Sequence, residues 1–97
     1  MARSLVYTDQ ALDQLADVLA RWPARALEIT QRARLLCVMP YTHGAADGPP
    51  GTRRMFVGAD KRNRHCVLFE VEPDTGRNAD GGVVRVLAIY WPGQLRP

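Results

Sequence analysis

The sequence lacks a long apolar segment. No run of apolar residues approaches the roughly 18 that a membrane-spanning helix requires. Residues 1–4 lead directly into a strand-like pattern, whereas a secretory signal peptide continues into an apolar centre. We therefore expect a cytoplasmic protein that has no membrane among its partners.

Cysteine and histidine are scarce. Cys37 falls in a helical pattern and Cys66 in a strand pattern, and neither stands in a CxxC motif. We interpret both as small buried thiols in a reducing compartment, with a disulfide as the alternative. His43 and His65 fall on separate elements without Asp, Glu or Cys at ligand spacing, so we expect neither a metal site nor a cofactor.

Two kinds of enzyme site are also missing from the sequence. Residues 48–52 resemble the phosphate loop of an ATPase, but Arg53 and Arg54 follow where that loop has glycine and lysine. We interpret residues 48–52 as a flexible connector. Most acidic residues fall on an exposed helix face or in turns, which leaves paired-carboxylate hydrolysis without support.

What the chain does contain is the composition of a small folded protein. Its 97 residues are 46% hydrophobic and 24% charged, close to the average for globular domains. A chain of this length makes one compact unit, so we assign residues 1–97 to a single domain. The formal net charge of +3 favours an acidic partner, which could be nucleic acid, an anionic membrane surface or an acidic protein.

The first quarter of the chain predicts a short strand and a helix. Residues 4–7 are rich in strand formers, and Thr8 then offers an N-cap to the helix. Apolar residues recur along this helix at spacings of three and four, which predicts that one stripe faces a core. The predicted stripe is Leu12, Leu15, Ala16, Leu19 and Trp22, with Asp13, Gln14 and Asp17 on the other side.

A second helix, a loop and three strands complete the prediction. Pro23 is suited to opening the second helix, which ends before Pro40 and repeats apolar residues at helical spacing: Ala26, Leu27, Ile29, Ala33, Leu36 and Cys37. Residues 41–52 are rich in Gly and Pro and predict a loop. Residues 53–57, 65–71 and 83–90 predict an antiparallel meander, joined by turns at 58–64 and 73–82. The predicted class is α+β, in the order β-α-α-β-β-β, with a helical hairpin on a small, mostly antiparallel sheet.

Basic residues are unevenly distributed. Five cations crowd one strand and hairpin: Arg53, Arg54, Lys61, Arg62 and Arg64. A solvated hairpin accounts for such a cluster equally well. Arg85 is more informative, because a cation in the middle of an apolar strand must be paired or face an open groove.

Five stretches, taken in order, are similar to the RelE/ParE toxins and together cover nearly the whole chain. They are ALDQL at 11–15, MPYTHG at 39–44, GTRRMFVG at 51–58, VLFEVE at 67–72 and VRVLAIYW at 84–91. None is specific alone; their order and spacing carry the resemblance.

The resemblance implies the toxin of a type II toxin–antitoxin system, a class that includes plasmid-stabilisation proteins. Such a toxin inhibits growth until an acidic antitoxin binds the basic, concave face of its sheet, forming a hetero-oligomer. The long helical hairpin favours the ParE-like branch, whose target is DNA gyrase and which implies no catalysis. The alternative is a RelE-like endoribonuclease that cleaves mRNA on the ribosome, and a second alternative is a non-toxic basic binding module.

The site residues that follow from this resemblance are mostly cationic. For target or antitoxin binding we expect Arg53, Arg54, Arg62, Arg64, Arg85 and Trp91. If the protein cleaves RNA, the catalytic candidates are Arg53, Arg85 and Tyr90. The chain departs from the family pattern in three ways: Cys66 stands where many relatives have a basic residue, the turn at 73–82 is long, and Trp91-Pro92-Gly93 replaces the common His-Gly ending.

Overall fold

The computed structural model describes residues 2–43 and 51–94 of the chain. Within them the elements are β1 (Ser4–Tyr7), α1 (Asp9–Arg21), α2 (Pro23–Leu36), α3 (Pro40–His43), β2 (Thr52–Val57), β3 (His65–Glu72) and β4 (Val83–Tyr90). The predicted α+β class and the order of helices and strands are confirmed. The one-turn helix α3 is an addition, because the second helix was predicted to end before Pro40 and residues 41–43 were predicted as the start of a loop. Residues 44–50 of that loop, which include most of the predicted connector at 48–52, lie outside the described residues.

The strands form one sheet in the order β1-β4-β3-β2. β2, β3 and β4 pair antiparallel, which confirms the predicted meander, and β1 pairs parallel to β4 with Ser4 beside Val83. The register of β3 on β4 shifts between Leu68 and Phe69, so that Leu87 is the extra residue of a β-bulge. The bulge leaves the Leu87 carbonyl free to accept a hydrogen bond from the Thr8 hydroxyl over 2.9 Å.

Thr8 joins the first helix to the sheet. As predicted, it is the N-cap of α1, and its hydroxyl oxygen accepts a hydrogen bond from the Ala11 amide over 3.1 Å. The same hydroxyl donates to β4, so one side chain both begins α1 and fixes its distance from the bulge. The two long helices then cover one face of the sheet. Between them lies the core, which includes Ala11, Val18, Ile29, Leu36, Met55, Val67, Phe69, Val86 and Ile89.

The predicted core-facing stripe of α1 was wrong in its phase. Leu12 and Leu19 are 50% and 60% exposed, and the buried residues of the helix are Ala11 and Val18. Of the predicted stripe, Leu15 is partly buried and packs against the core. Gln14, predicted on the solvent side, reaches the sheet, where its side-chain oxygen accepts a hydrogen bond from the Ile89 amide over 2.7 Å. The small side chain of Ala11 permits this close approach. Two neighbouring stripes of α1 have helical spacing, one with Leu12 and Leu19 and one with Ala11 and Val18. The second is less hydrophobic, and it is the one that packs on the sheet.

The other buried residues largely follow the prediction. In α2, the residues Ala26, Ile29, Ala33, Leu36 and Cys37 are buried, whereas Leu27 is 59% exposed. Both cysteines are buried free thiols, as predicted. No helix in residues 2–43 or 51–94 is long and apolar enough to cross a membrane.

Candidate target-binding face

The sheet has one face covered by α1 and α2 and one that these helices leave uncovered, here called the open face. Alternation along the strands assigns side chains to it, because neighbours in a strand point to opposite faces and paired residues to the same face. From the pairing, its members are Ser4, Val6, Thr52, Arg54, Phe56, Cys66, Leu68, Glu70, Glu72, Val83, Arg85, Ala88 and Tyr90.

A cleft of about 590 Å³ lies at one end of the open face. Four cations line it, and three of them, Arg54, Arg62 and Arg64, were predicted as binding residues from the sequence. We name this cleft the basic pocket; its lining residues are Arg54, Phe56, Lys61, Arg62, Arg64, Gly93 and Gln94.

An aromatic ring forms part of the wall of the basic pocket. The guanidinium carbon of Arg64 lies 4.0 Å from the centre of the Phe56 ring, which orients the cation through its attraction to the π-face. The turn that carries Lys61 and Arg62 is held by Asp60, whose carboxylate accepts a hydrogen bond from the Arg62 amide over 2.9 Å. The pocket thus offers an anionic ligand positive charge, with one of its cations stacked on an aromatic ring.

Arg85 also lies on the open face, but its charge is neutralised there. Its guanidinium donates hydrogen bonds to the carboxylates of Glu70 and Glu72, on the neighbouring strand β3. These two hydrogen bonds, Glu70 first, raise the pKa of Arg85 above its ordinary value. One cation beside two carboxylates gives this end of the open face a local charge of about −1 at neutral pH, so positive charge is concentrated at the basic pocket.

Arg53 lies on the helix-covered face. It pairs with the buried Phe69, and its guanidinium carbon lies 4.4 Å from the centre of the Tyr41 ring in α3. Its Nη2 lies 3.7 Å from the Asp74 carboxylate, which also accepts a hydrogen bond from the Tyr41 hydroxyl over 2.6 Å. Arg53 therefore links β2 to α3 and to the connection at 73–82. The structure does not bring together the three catalytic candidates Arg53, Arg85 and Tyr90.

Tyr90 is the last residue of β4, and Trp91 follows it. Tyr90 pairs with Cys66, which in turn pairs with Phe56, so Tyr90 lies one strand further from the pocket than Cys66. Trp91 packs edge to face against Trp22 at 5.5 Å between ring centres, and the Arg21 guanidinium carbon lies 4.2 Å from the centre of its ring. Trp91 also borders a second cleft of about 500 Å³, separated from the basic pocket by Gly93 and Gln94.

The sequence and the structure were compared with those of known proteins. The sequence matches no family model and no curated protein. The structure is similar to the toxin–antitoxin complex RelBE2 from Mycobacterium tuberculosis, with a TM-score of 0.68 over 94% of this chain and 99% of that chain. The chain has a RelE-like fold. At 16% sequence identity the likeness shows the fold, and the fold implied by the sequence resemblance is confirmed.

On this RelE-like fold, sequence reasoning missed part of the basic pocket. Phe56 had a detectable signal, since it stands two residues from Arg54 in a strand and so shares its face. Gly93 and Gln94 had none, because the turn after β4 places them. His65 is buried, and its Nδ1 is hydrogen-bonded to Arg25. In the described part of the chain, no three His, Cys, Asp or Glu side chains come close enough to hold a metal ion.

Proposed function

We propose that this protein is the toxin of a type II toxin–antitoxin pair and that an acidic antitoxin neutralises it. The observation that carries the proposal is the RelE-like fold, which is similar to the RelBE2 toxin–antitoxin complex over 94% of the chain. The net charge of +3 and the four cations of the basic pocket support an acidic partner.

For the target, the proposal is ParE-like inhibition of DNA gyrase through binding alone. Two observations favour binding over catalysis. Arg85 is already paired with Glu70 and Glu72, and Arg53 lies on the other face of the sheet. A phosphate held by Tyr90 and Arg85 would meet two carboxylates, which oppose the charge stabilisation that RNA cleavage needs. The His-Gly ending of many relatives is also replaced by Trp91-Pro92-Gly93.

The second candidate is RelE-like cleavage of mRNA on the ribosome, and the basic pocket is the observation that favours it. Cations such as Arg54, Lys61 and Arg62 suit RNA phosphates, and an aromatic ring such as Phe56 can stack on an unpaired base. In that case Arg54 and Arg64 stabilise the phosphate charge, with Tyr90 as a group that can transfer a proton.

Growth tests the toxin proposal. Expression of the protein alone is expected to arrest bacterial growth. Co-expression with the proposed antitoxin, to be sought as a short acidic reading frame beside this gene, is expected to restore growth. Normal growth at verified soluble expression contradicts toxicity and leaves the non-toxic binding module. Arg54→Gln and Arg64→Gln are expected to relieve the arrest, whereas Arg85→Gln is expected to retain it. Arg77→Gln, in the exposed connection at 73–82, is the matched control for loss of one positive charge.

Two assays with purified protein then decide the target. Inhibition of gyrase supercoiling without cleavage of ribosome-bound mRNA supports the ParE-like proposal. Cleavage of mRNA that requires Arg54, Arg64 or Tyr90 overturns it in favour of the ribonuclease. Each variant is assayed beside wild type at the same salt concentration, because contacts between cations and phosphates weaken as salt rises.

A further inference from the structure

Arg25 stands in the first turn of α2 and reaches out of the helical hairpin to the connection between β2 and β3. Its Nη1 donates to the Asn63 carbonyl oxygen and to Nδ1 of His65, each over 3.0 Å. Its Nε lies 3.4 Å from the Glu28 carboxylate, which holds the guanidinium from the helix side. One side chain of α2 therefore binds the end of the connection that enters β3.

The same guanidinium contacts the other end of that connection. Gly58 follows β2 with a φ of +128°, and a Cβ added there would lie 2.9 Å from Nη2 and 3.0 Å from Cζ of Arg25. Any larger residue at this position would displace the guanidinium. It would also have to adopt a backbone conformation that only glycine adopts without strain. Arg25 thus packs against the backbone where the connection leaves β2 and donates to it where β3 begins.

His65 completes the attachment and is neutral in it. Arginine has only hydrogen-bond donors, so Nδ1 of His65 must accept, and the ring proton of the neutral imidazole is on Nε2. His65 is 1% exposed and packs edge to face against Trp22, with 5.3 Å between ring centres. Burial, followed by the positive charge of Arg25, lowers the pKa of His65.

The attached connection carries Lys61, Arg62 and Arg64 into the basic pocket. Three cations within four residues repel one another and Arg54, so a loosely held connection would separate them. Fixing both of its ends confines these cations before a ligand arrives, which reduces the ordering cost of binding.

We propose that Arg25 is a positioning residue for the basic pocket: its guanidinium, held between Gly58, Asn63 and His65, keeps the β2–β3 connection on the open face. The inference takes from the proposed function only that the basic pocket binds the target. It assigns to a helix residue outside the pocket the task of arranging the cations that line it.

The test compares Arg25→Gln and Arg25→Lys with wild type. A fluorescent 12-nucleotide oligouridylate serves as a polyanionic probe of the pocket cations, whichever target the protein has. Its binding is measured by anisotropy at fixed salt, and amide hydrogen exchange is measured across the chain. No binding of the probe by wild type overturns the proposal. Both variants are expected to bind about fivefold more weakly, which corresponds to about 1 kcal/mol, with faster exchange at residues 59–64 and unchanged exchange at 74–80. Arg32→Gln, two turns along α2, is the control for the lost charge.

Arg25→Lys separates positioning from charge, because lysine keeps the charge but cannot make the two-ended guanidinium contact. The proposal is overturned if Arg25→Lys binds the oligouridylate as tightly as wild type. It is also overturned if the variants bind more weakly without faster exchange at 59–64. Either result would mean that Arg25 contributes its charge and does not position the connection. Global loss of protection in both variants also overturns the proposal and makes Arg25 a general stability residue.

The His65 ring resonance adds a further readout, since its titration is expected to move to higher pH in Arg25→Gln. None of these results depends on whether the protein arrests growth, so a failure of the toxin proposal is detected separately.

Discussion

Arg53 and Arg85 lie on opposite faces of the same sheet. Arg53 packs on Tyr41 among the elements of the helix-covered face, whereas Arg85 pairs with Glu70 on the open face. A ligand on the open face can reach only the second of these cations directly. Substitutions at the two positions should therefore have separable effects, on stability at Arg53 and on the charge of the open face at Arg85.

Arg53→Gln is expected to lower the free energy of unfolding by about 1 kcal/mol, because it removes a cation–π contact and a partly exposed ion pair with Asp74. Binding of the oligouridylate is expected to stay within about twofold of wild type. Urea denaturation and anisotropy measure the two effects. If Arg53→Gln instead binds the oligouridylate much more weakly at unchanged stability, Arg53 contributes to binding, as the sequence predicted.

The contrast between a buried leucine of α2 and an exposed leucine of α1 makes a second prediction. Leu36→Ala is expected to cost about 2 to 5 kcal/mol, because Leu36 is fully buried in the core and a cavity remains. Leu19→Ala, which removes the same atoms from a side chain that is 60% exposed, is expected to change stability by less than about 0.5 kcal/mol. The midpoints of urea denaturation measure both changes. A large loss of stability in Leu19→Ala would mean that the exposed leucines of α1 are covered in solution.

Gly82 precedes β4 and is expected to be intolerant of any side chain. Its φ is +96°, and an added Cβ would lie 2.1 Å from the carbonyl oxygen of Glu72. Gly82→Ala therefore combines backbone strain with a collision against backbone and should unfold the protein or lower its melting temperature sharply. Gly76→Ala is the matched control, since its φ of +74° gives strain alone, worth about 1 to 2 kcal/mol. Equal costs for the two variants would contradict the collision.

Stability is expected to depend on pH through His65. Burial and the charge of Arg25 place its folded pKa below the ordinary value of about 6.5. The unfolded chain then binds the proton more readily, so the contribution of neutral His65 is complete above about pH 6.5 and is lost as pH falls through the folded pKa. The melting temperature should fall from pH 7.5 to 5.5, and His65→Gln should reduce that fall. His43→Gln, in α3, should retain it; an undiminished fall in His65→Gln assigns the effect to other groups.

Sequence patterns predicted the elements well because strands and helices depend on local periodicity. Composition and capping helped as well: β-branched and aromatic residues predicted the strand at 83–90, and Thr8 predicted the start of α1. The core-facing side of α1 was mispredicted because periodicity cannot choose between the stripe of Leu12 and the stripe of Ala11. That choice is made by contacts with β4, about 75 residues away, such as the hydrogen bond from Ile89 to Gln14.

The candidate site was predictable where its residues are close in sequence. Arg54, Arg62 and Arg64 were found as a cluster because one strand and one turn contain them. The placement of Arg53 on the other face follows from alternation once the register on Phe69 is known, and that register depends on pairing rather than composition. Arg25 gave no signal, because its partners at residues 58–65 become its neighbours only when α2 packs beside β2.

The parallel pairing of β1 with β4 has a consequence for synthesis. Ser4 cannot meet Val83 until almost the whole chain has been translated, which at about 5 to 20 residues per second takes several seconds or more. During that interval the two long helices have been made, but β4, the strand that α1 packs against, has not. The nascent chain therefore exposes the apolar faces of its helical hairpin and has no finished open face. A ribosome making this protein therefore carries an unassembled chain until β4 emerges, and the open face with its basic pocket can form only then.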